Sequence, residues 1–395
     1  MLPRRYKPGV FALTAINTVA TTFYFNYLFF FLRDQFGFGN RGNLWVSALH
    51  GFVYIFAAWQ GGRFAQRHGY FVSLKLGYAA LTVIALVGSV TQSVSGQLII
   101  VLLYSIALLF TWPALEALAT DGESRRGVQR MVGIYNCTWA SSAALAFFGG
   151  GSLYDTSARA TVFLIPAALF FSEFILASWL GGKAQPALAE VHQTAPEPPP
   201  HPEPEAFKQP VNPRTFLHMA WLANPFAYVA INTLFAVMPA IGAKLGLSPT
   251  QVGLFCSVWL FGRFAAFVTL WQWNGWHYRF RWLLVGFIGL LVGFLAIVLS
   301  PWLWLIVLAQ LLFGFAAGTA YYASLFYSMD AGDAKGEHGG LHEAAIGAGI
   351  CGGPLIGALA LTLAPNTPNV GVWAVGGLLV IGTGALLWLR WRPAR

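Results

Sequence analysis

Twelve long apolar runs alternate with short polar segments along this chain. A helix needs about 20 residues to cross the hydrocarbon core of a bilayer. Six runs precede residue 181, at about residues 9–32, 44–61, 71–91, 97–115, 131–151 and 160–180. Six more follow residue 213, at about residues 215–240, 251–271, 282–300, 302–327, 342–363 and 370–390. The pattern predicts an all-α membrane protein with twelve transmembrane helices.

A polar segment divides the runs into two sets of six. Residues 181–213 contain nine prolines, and such a run stays extended because proline lacks an N–H and disrupts helices. We therefore predict an N-terminal six-helix bundle over residues 1–180, a cytoplasmic proline-rich linker over 181–213 and a C-terminal six-helix bundle over 214–395. The first run has no small-residue cleavage site, so we interpret it as a retained helix and not as a signal peptide.

Composition and charge support the membrane assignment. Only 9% of the residues are charged, compared with about 25% in soluble domains. The formal net charge is +9, but the basic residues form short clusters between apolar runs, which argues against nucleic-acid binding. With the N-terminus inside, eighteen of the 23 Lys and Arg residues fall on the inner side, as the positive-inside rule requires. We expect a monomeric, multi-pass protein of the plasma (inner) membrane with both termini cytoplasmic.

The residues that serve catalysis or metal binding in other proteins form no such pattern here. The three cysteines, Cys137, Cys256 and Cys351, all lie in apolar runs and form neither a metal-binding pair nor a disulfide framework. The chain also lacks a P-loop, a His/Cys metal spacing and a nucleophile motif. We therefore predict no catalytic residue, no metal and no cofactor, and we do not expect an enzyme.

The segment after the second run carries a family signature. Residues 62–69 read GRFAQRHG, which resembles the loop signature of the major facilitator superfamily, Gly-x-x-x-Asp-Arg-x-Gly followed by basic residues. Gly62, Arg67 and Gly69 match the signature, whereas Gln66 stands where an acid is usual and aromatic residues replace the trailing basic ones. The resemblance implies two pseudo-symmetric six-helix bundles, a transmembrane secondary transporter and alternating access to a central cavity. The first, fourth, seventh and tenth runs would line that cavity, with the second, fifth, eighth and eleventh beside them.

The resemblance leaves the substrate and the direction of transport open. It implies a small organic solute, either an organic anion or an amphipathic or neutral polar molecule, with a proton as the coupling ion. A multidrug or metabolite efflux antiporter is the alternative, because residues 347–357 resemble the Gly-Pro-rich motif of the superfamily's antiporters. A non-transporting membrane sensor and a different twelve-helix transporter fold are weaker readings.

Arg263 and His50 are the two candidates at the middle of the membrane. Arg263 lies near the centre of the eighth run, where an ionisable side chain is costly and usually faces a cavity or a partner. It would bind an anionic group or a coupling carboxylate, or else bond backbone carbonyls as a structural arginine; we favour the first. His50 occupies a similar depth in the second run and is either a satisfied buried histidine or a proton carrier.

The acidic residues near the helix ends have weaker assignments. Glu343 opens the eleventh run, where it either complements the positive end of that helix or acts as a conformational latch. In the superfamily the loop signature works against the start of the eleventh helix, so the latch would consist of Gly62, Arg63, Arg67, Gly69 and Glu343. Glu116 is read as a solvated acid at a helix end, and Glu173 is given no transport role.

Uncharged polar and aromatic residues complete the predicted cavity. Asparagine, tyrosine and tryptophan side chains can bind a polar solute, and they also form helix–helix hydrogen bonds. The predicted substrate-binding set, besides Arg263 and His50, is Asn17, Tyr24, Trp112, Asn136, Trp139, Tyr228, Asn232, Tyr321 and Tyr322.

Overall fold

The computed structural model describes residues 4–123, 125–156, 160–194, 212–331 and 335–391. Within these ranges the chain forms fourteen α-helices and no strand. The first seven are α1 (Lys7–Phe36), α2 (Asn40–His68), α3 (Tyr70–Val90), α4 (Val94–Leu108), α5 (Trp112–Thr120), α6 (Arg125–Thr156) and α7 (Thr161–Thr194). The others are α8 (Pro213–Lys244), α9 (Pro249–Cys256), α10 (Val258–Gln272), α11 (Phe280–Leu299), α12 (Leu303–Ala331), α13 (Lys335–Leu363) and α14 (Val370–Trp391).

These helices correspond to the twelve predicted runs. The pair α4 and α5 forms the fourth span, and the pair α9 and α10 forms the eighth. In the described part of the chain, ten stretches are long and apolar enough to cross a membrane. The other two spans are α2 and α6, which are 29 and 32 residues long but carry more polar side chains. Both pack against the opposite half, which explains the lower apolar content.

Two helix boundaries differ from those predicted. The helix α7 continues to Thr194, beyond the predicted end near residue 180, because Ala, Glu and Gln favour a helix there. The helix α13 begins at Lys335, so Glu343 lies eight residues after the start and not in the first turn. Residues 195–211, which hold most of the predicted linker, lie outside the described residues, and the linker stays a prediction.

Twelve passes place both chain ends on one face of the bundle. We call this the terminal face; it carries the start of α1 and the end of α14, and the opposite side, which carries the end of α1, is the far face. At the far face three hydrogen bonds join the two halves. Asn43 Nδ2 donates to the Ala236 carbonyl at 3.2 Å, Arg33 to the Pro239 carbonyl at 3.1 Å, and the Thr250 backbone N–H to the Asp155 carboxylate at 2.8 Å.

Glycine residues allow α13 to pack closely between α2 and α8. A Cβ atom at Gly51 of α2 would overlap the backbone nitrogen of Cys351 in α13, and one at Gly353 would overlap the Val229 carbonyl in α8. The absence of side chains at these contacts lets the helix backbones approach. This agrees with the role predicted for the small residues of the eleventh run.

The substitution Gly51→Ala is expected to destabilise the fold, because its methyl group must displace the α13 backbone. Overpacking of this kind costs about 1–3 kcal/mol, and it should lower the midpoint of thermal unfolding of the purified protein in detergent. Gly149→Ala in α6 is the matched control, since no atom lies within 4 Å of the added Cβ. An unchanged midpoint for Gly51→Ala would show that α2 and α13 are not tightly packed.

Candidate functional site

A break in the eighth span places Arg263 between the two halves. The helix α9 ends at Cys256, and α10 begins at Val258. Gln310 of α12 serves the two backbone groups that the break frees: its amide donates to the Phe255 carbonyl at 2.8 Å and accepts from the Trp259 N–H at 3.4 Å. A break inside a membrane needs such partners because no water is available there. Arg263 follows near the start of α10, with 3% of its surface exposed.

Four aromatic rings surround the Arg263 guanidinium. Its central carbon lies 4.5 Å from the ring centre of Trp139, 5.2 Å from that of Tyr321, 5.4 Å from that of Tyr228 and 5.7 Å from that of Phe267. Trp139 belongs to the N-terminal half and the other three to the C-terminal half. Rings at these distances attract a cation through their negative faces, so they hold the charge where the halves meet.

The guanidinium keeps most of its hydrogen-bonding capacity. It has five N–H donors, and one of its terminal nitrogens donates to the Tyr228 hydroxyl at 3.2 Å. The Nε atom is buried without a hydrogen-bond partner, and within the described ranges no carboxylate forms an ion pair with Arg263. A planar fork of free donors suits a carboxylate or phosphate group.

Two carboxyl groups lie in the same region and link the halves. The Tyr54 hydroxyl of α2 donates to the Glu343 carboxyl of α13 at 2.6 Å, and the Tyr321 hydroxyl of α12 donates to the Glu116 carboxyl of α5. The two carboxyls are close enough to interact electrostatically. We call the following set the central polar group: Tyr54, Glu116, Tyr135 and Trp139 from the N-terminal half, and Tyr228, Arg263, Tyr321 and Glu343 from the C-terminal half.

His50 and Asn232 border a separate small space. The His50 Nδ1 atom is 2.7 Å from the Ser105 hydroxyl, and its ring lies against Phe25. Asn232 donates to the Tyr228 carbonyl at 3.1 Å. Both side chains line a cavity of about 10 Å³ at the boundary between α2 and α8, which is about the size of one water molecule.

The remaining predicted cavity residues divide between the centre and the bundle interiors. Asn136 accepts a hydrogen bond from the Trp139 indole at 3.1 Å, and Tyr322 packs behind Phe267, with ring centres 5.9 Å apart. Trp112 opens α5 one turn before Glu116. Asn17 and Tyr24 are fully buried, and they face the interior of the N-terminal bundle instead of Arg263.

The predicted latch residues lie at the terminal face. Gly62 is in the last part of α2, and Gly69, with a φ of 96°, links α2 to α3. The side chains of Arg63 and Arg67 are exposed. Glu343 does join the two halves, but its recorded hydrogen bond goes to Tyr54.

Sequence reasoning missed several members of the central polar group. Glu116 was read as a solvated acid, and Tyr54, Tyr135 and Phe267 were not considered. A signal for Glu116 was present, because it follows the Trp112-Pro113 pair inside an otherwise apolar run. No comparable signal marks the two tyrosines.

Comparison with solved structures identifies the fold. The chain aligns over 97% of its length with 99% of a mutant of the nucleoside transporter NupG, at a TM-score of 0.70 and 11% identity. It aligns over 99% with all of a bacterial homologue of the human lysosomal transporter Spinster in an inward-facing, unoccupied conformation (TM-score 0.66, 13% identity). It aligns over 97% with 99% of the human organic anion transporter MFSD10 (TM-score 0.66, 15% identity).

The sequence itself gives no comparable match. No protein-family model and no curated protein sequence matches the chain. The helices nevertheless follow those of the three transporters almost from end to end. The chain therefore has the fold of the major facilitator superfamily.

Proposed function

We propose that this protein is a secondary transporter that moves a small organic anion across a membrane by alternating access. The observation that carries the proposal is Arg263, a buried cation with unused donors and no carboxylate partner within the described residues. An unpaired charge inside a membrane protein is costly. It is retained where a ligand completes the site, and a ligand that does so carries a negative charge.

The aromatic rings around Arg263 favour a solute that also has a flat or apolar part. Trp139, Tyr228, Tyr321 and Phe267 offer ring faces and edges beside the guanidinium. Such surfaces bind planar organic groups by stacking. The similarity to an organic anion transporter agrees with an anion, and the similarity to a nucleoside transporter agrees with a planar solute. We infer an aromatic or unsaturated carboxylate as the best-fitting substrate class.

The two carboxyls of the central polar group supply a coupling mechanism. Glu116 and Glu343 are close enough to repel each other, and two neighbouring carboxyls in a site of low polarity retain one proton between them. Because Tyr54 and Tyr321 bind these acids from the opposite halves, a change of protonation alters the contact between the halves. We infer that this proton is the coupling ion.

Alternating access requires contacts between the halves that can open at either face. The three hydrogen bonds at the far face, made by Asn43, Arg33 and Thr250, are separate from the central polar group. Breaking them would open the centre towards the far side. The proposal includes a monomer in the plasma membrane with both termini cytoplasmic and the linker of residues 181–213 between the moving halves.

The purified protein in liposomes on a solid-supported membrane should give transient currents with aromatic carboxylates such as benzoate and cinnamate. Nucleosides, sugars and quaternary ammonium compounds are the comparison solutes, and liposomes without protein are the blank. Currents should grow when an inward proton gradient is imposed. Currents with nucleosides or cations but none with carboxylates would contradict the assignment of an organic anion.

A further inference from the structure

A second buried acid lies inside the N-terminal bundle, away from the central polar group. Glu173 of α7 is completely buried, and neither of its carboxyl oxygens forms a hydrogen bond of ordinary geometry with a described residue. The helix α7 packs against α1 and α3, whereas the central polar group lies on α2, α5, α6 and the C-terminal half. Glu173 is therefore outside the site proposed above.

Four unpartnered polar side chains gather around this acid. The Tyr78 hydroxyl of α3 approaches the carboxyl, and α1 reaches it at Asn17. Tyr104 of α4 is within electrostatic range of Glu173, and its ring stacks on that of Tyr24 with centres 4.0 Å apart. The three tyrosine hydroxyls and the Asn17 amide are all buried without a hydrogen-bond partner.

Such a concentration of unsatisfied groups is unusual, because almost all buried polar atoms in proteins have partners. The surroundings provide no positive side chain: the titratable groups that face Glu173 are Tyr24 from α1, Tyr78 from α3 and Tyr104 from α4. An ionised carboxylate without a cation is very costly at this depth. The carboxyl must be neutralised by something that it binds.

We propose that Glu173 is a proton-binding site within the N-terminal bundle, with a proton that exchanges with water. A proton neutralises the acid and needs no additional space. The surrounding hydroxyl and amide groups can donate to the carboxylate or accept from the carboxylic acid, so the site accommodates both protonation states. An acid buried only as a packing element would not need four polar neighbours.

Infrared difference spectroscopy of the reconstituted protein tests this inference directly. The wild type in a sodium-free potassium buffer at neutral pH should show the C=O stretching band of a protonated carboxylic acid that Glu173→Gln lacks. The band should shift when the sample is transferred to heavy water. Asp155→Asn, which changes an exposed acid at the far face, is the control and should leave the band unchanged.

Other outcomes contradict the inference. If the spectra of the wild type and of Glu173→Gln do not differ in the carboxylic-acid region, the group is ionised. A band that never shifts in heavy water indicates a permanently protonated structural group, and a band that disappears when sodium is added indicates a metal-cation site. If Glu173→Gln does not fold, Tyr78→Phe serves instead, since removing the neighbouring hydroxyl should displace the same band without abolishing it.

Discussion

Replacing Arg263 by glutamine is expected to abolish the binding and transport of organic anions. The substitution removes the buried positive charge of the central polar group and leaves the ligand's anionic group without its partner. Losing one member of a buried, hydrogen-bonded charge pair costs about 2–5 kcal/mol, and about 2.7 kcal/mol corresponds to a 100-fold weaker Kd. We expect the affinity for the carboxylate with the largest current in the substrate screen to fall by about 100-fold or more, as measured by titration calorimetry in detergent.

The design separates loss of binding from loss of folding. Without ligand, Arg263→Gln should unfold at a temperature no lower than the wild type, because it removes an unpaired buried charge. Arg281→Gln is the matched control: Arg281 also lies over an aromatic ring, that of Trp282 at 5.3 Å, but it is exposed and outside the centre. Wild-type affinity in Arg263→Gln would remove Arg263 from the binding site.

The order of the helices and the position of Arg263 could be predicted because they depend on local signals. An apolar run longer than the bilayer is thick is recognisable without any knowledge of its neighbours. Arg263 is equally conspicuous as a lone charge in such a run. Its surroundings agree with the functional reading, since the structural alternative required bonds to backbone carbonyls and the recorded bond goes to the Tyr228 hydroxyl.

The assignment of side chains to the cavity was less reliable because it depends on how each helix is rotated about its axis. Successive residues in a helix point about 100° apart, so a cavity-lining helix also carries residues that face its own bundle. Asn17 and Tyr24 were assigned to the cavity because they lie in the first run, but the packing of α1 against α7 turns them inward. Glu116 is the opposite case, because the break between α4 and α5 directs it towards Tyr321.

Replacing Glu343 by glutamine is expected to uncouple transport from the proton gradient. Glutamine has nearly the shape of the protonated acid and can still bind the Tyr54 hydroxyl, so the contact between α2 and α13 should survive. The variant would remain in the equivalent of the protonated state, because its amide cannot release a proton. Accumulation driven by a proton gradient should therefore fall to about the level set by the solute's own concentration gradient.

Exchange of labelled for unlabelled substrate across the liposome membrane should continue in Glu343→Gln, because exchange requires the halves to move but no net proton transfer. Tyr54→Phe is the companion variant: it keeps the carboxyl and removes the hydrogen bond recorded at 2.6 Å. We expect it to retain proton-driven accumulation with an altered pH dependence. Full accumulation by Glu343→Gln would exclude Glu343 as a coupling residue. Loss of exchange together with accumulation would make it a residue needed for binding or for movement of the halves.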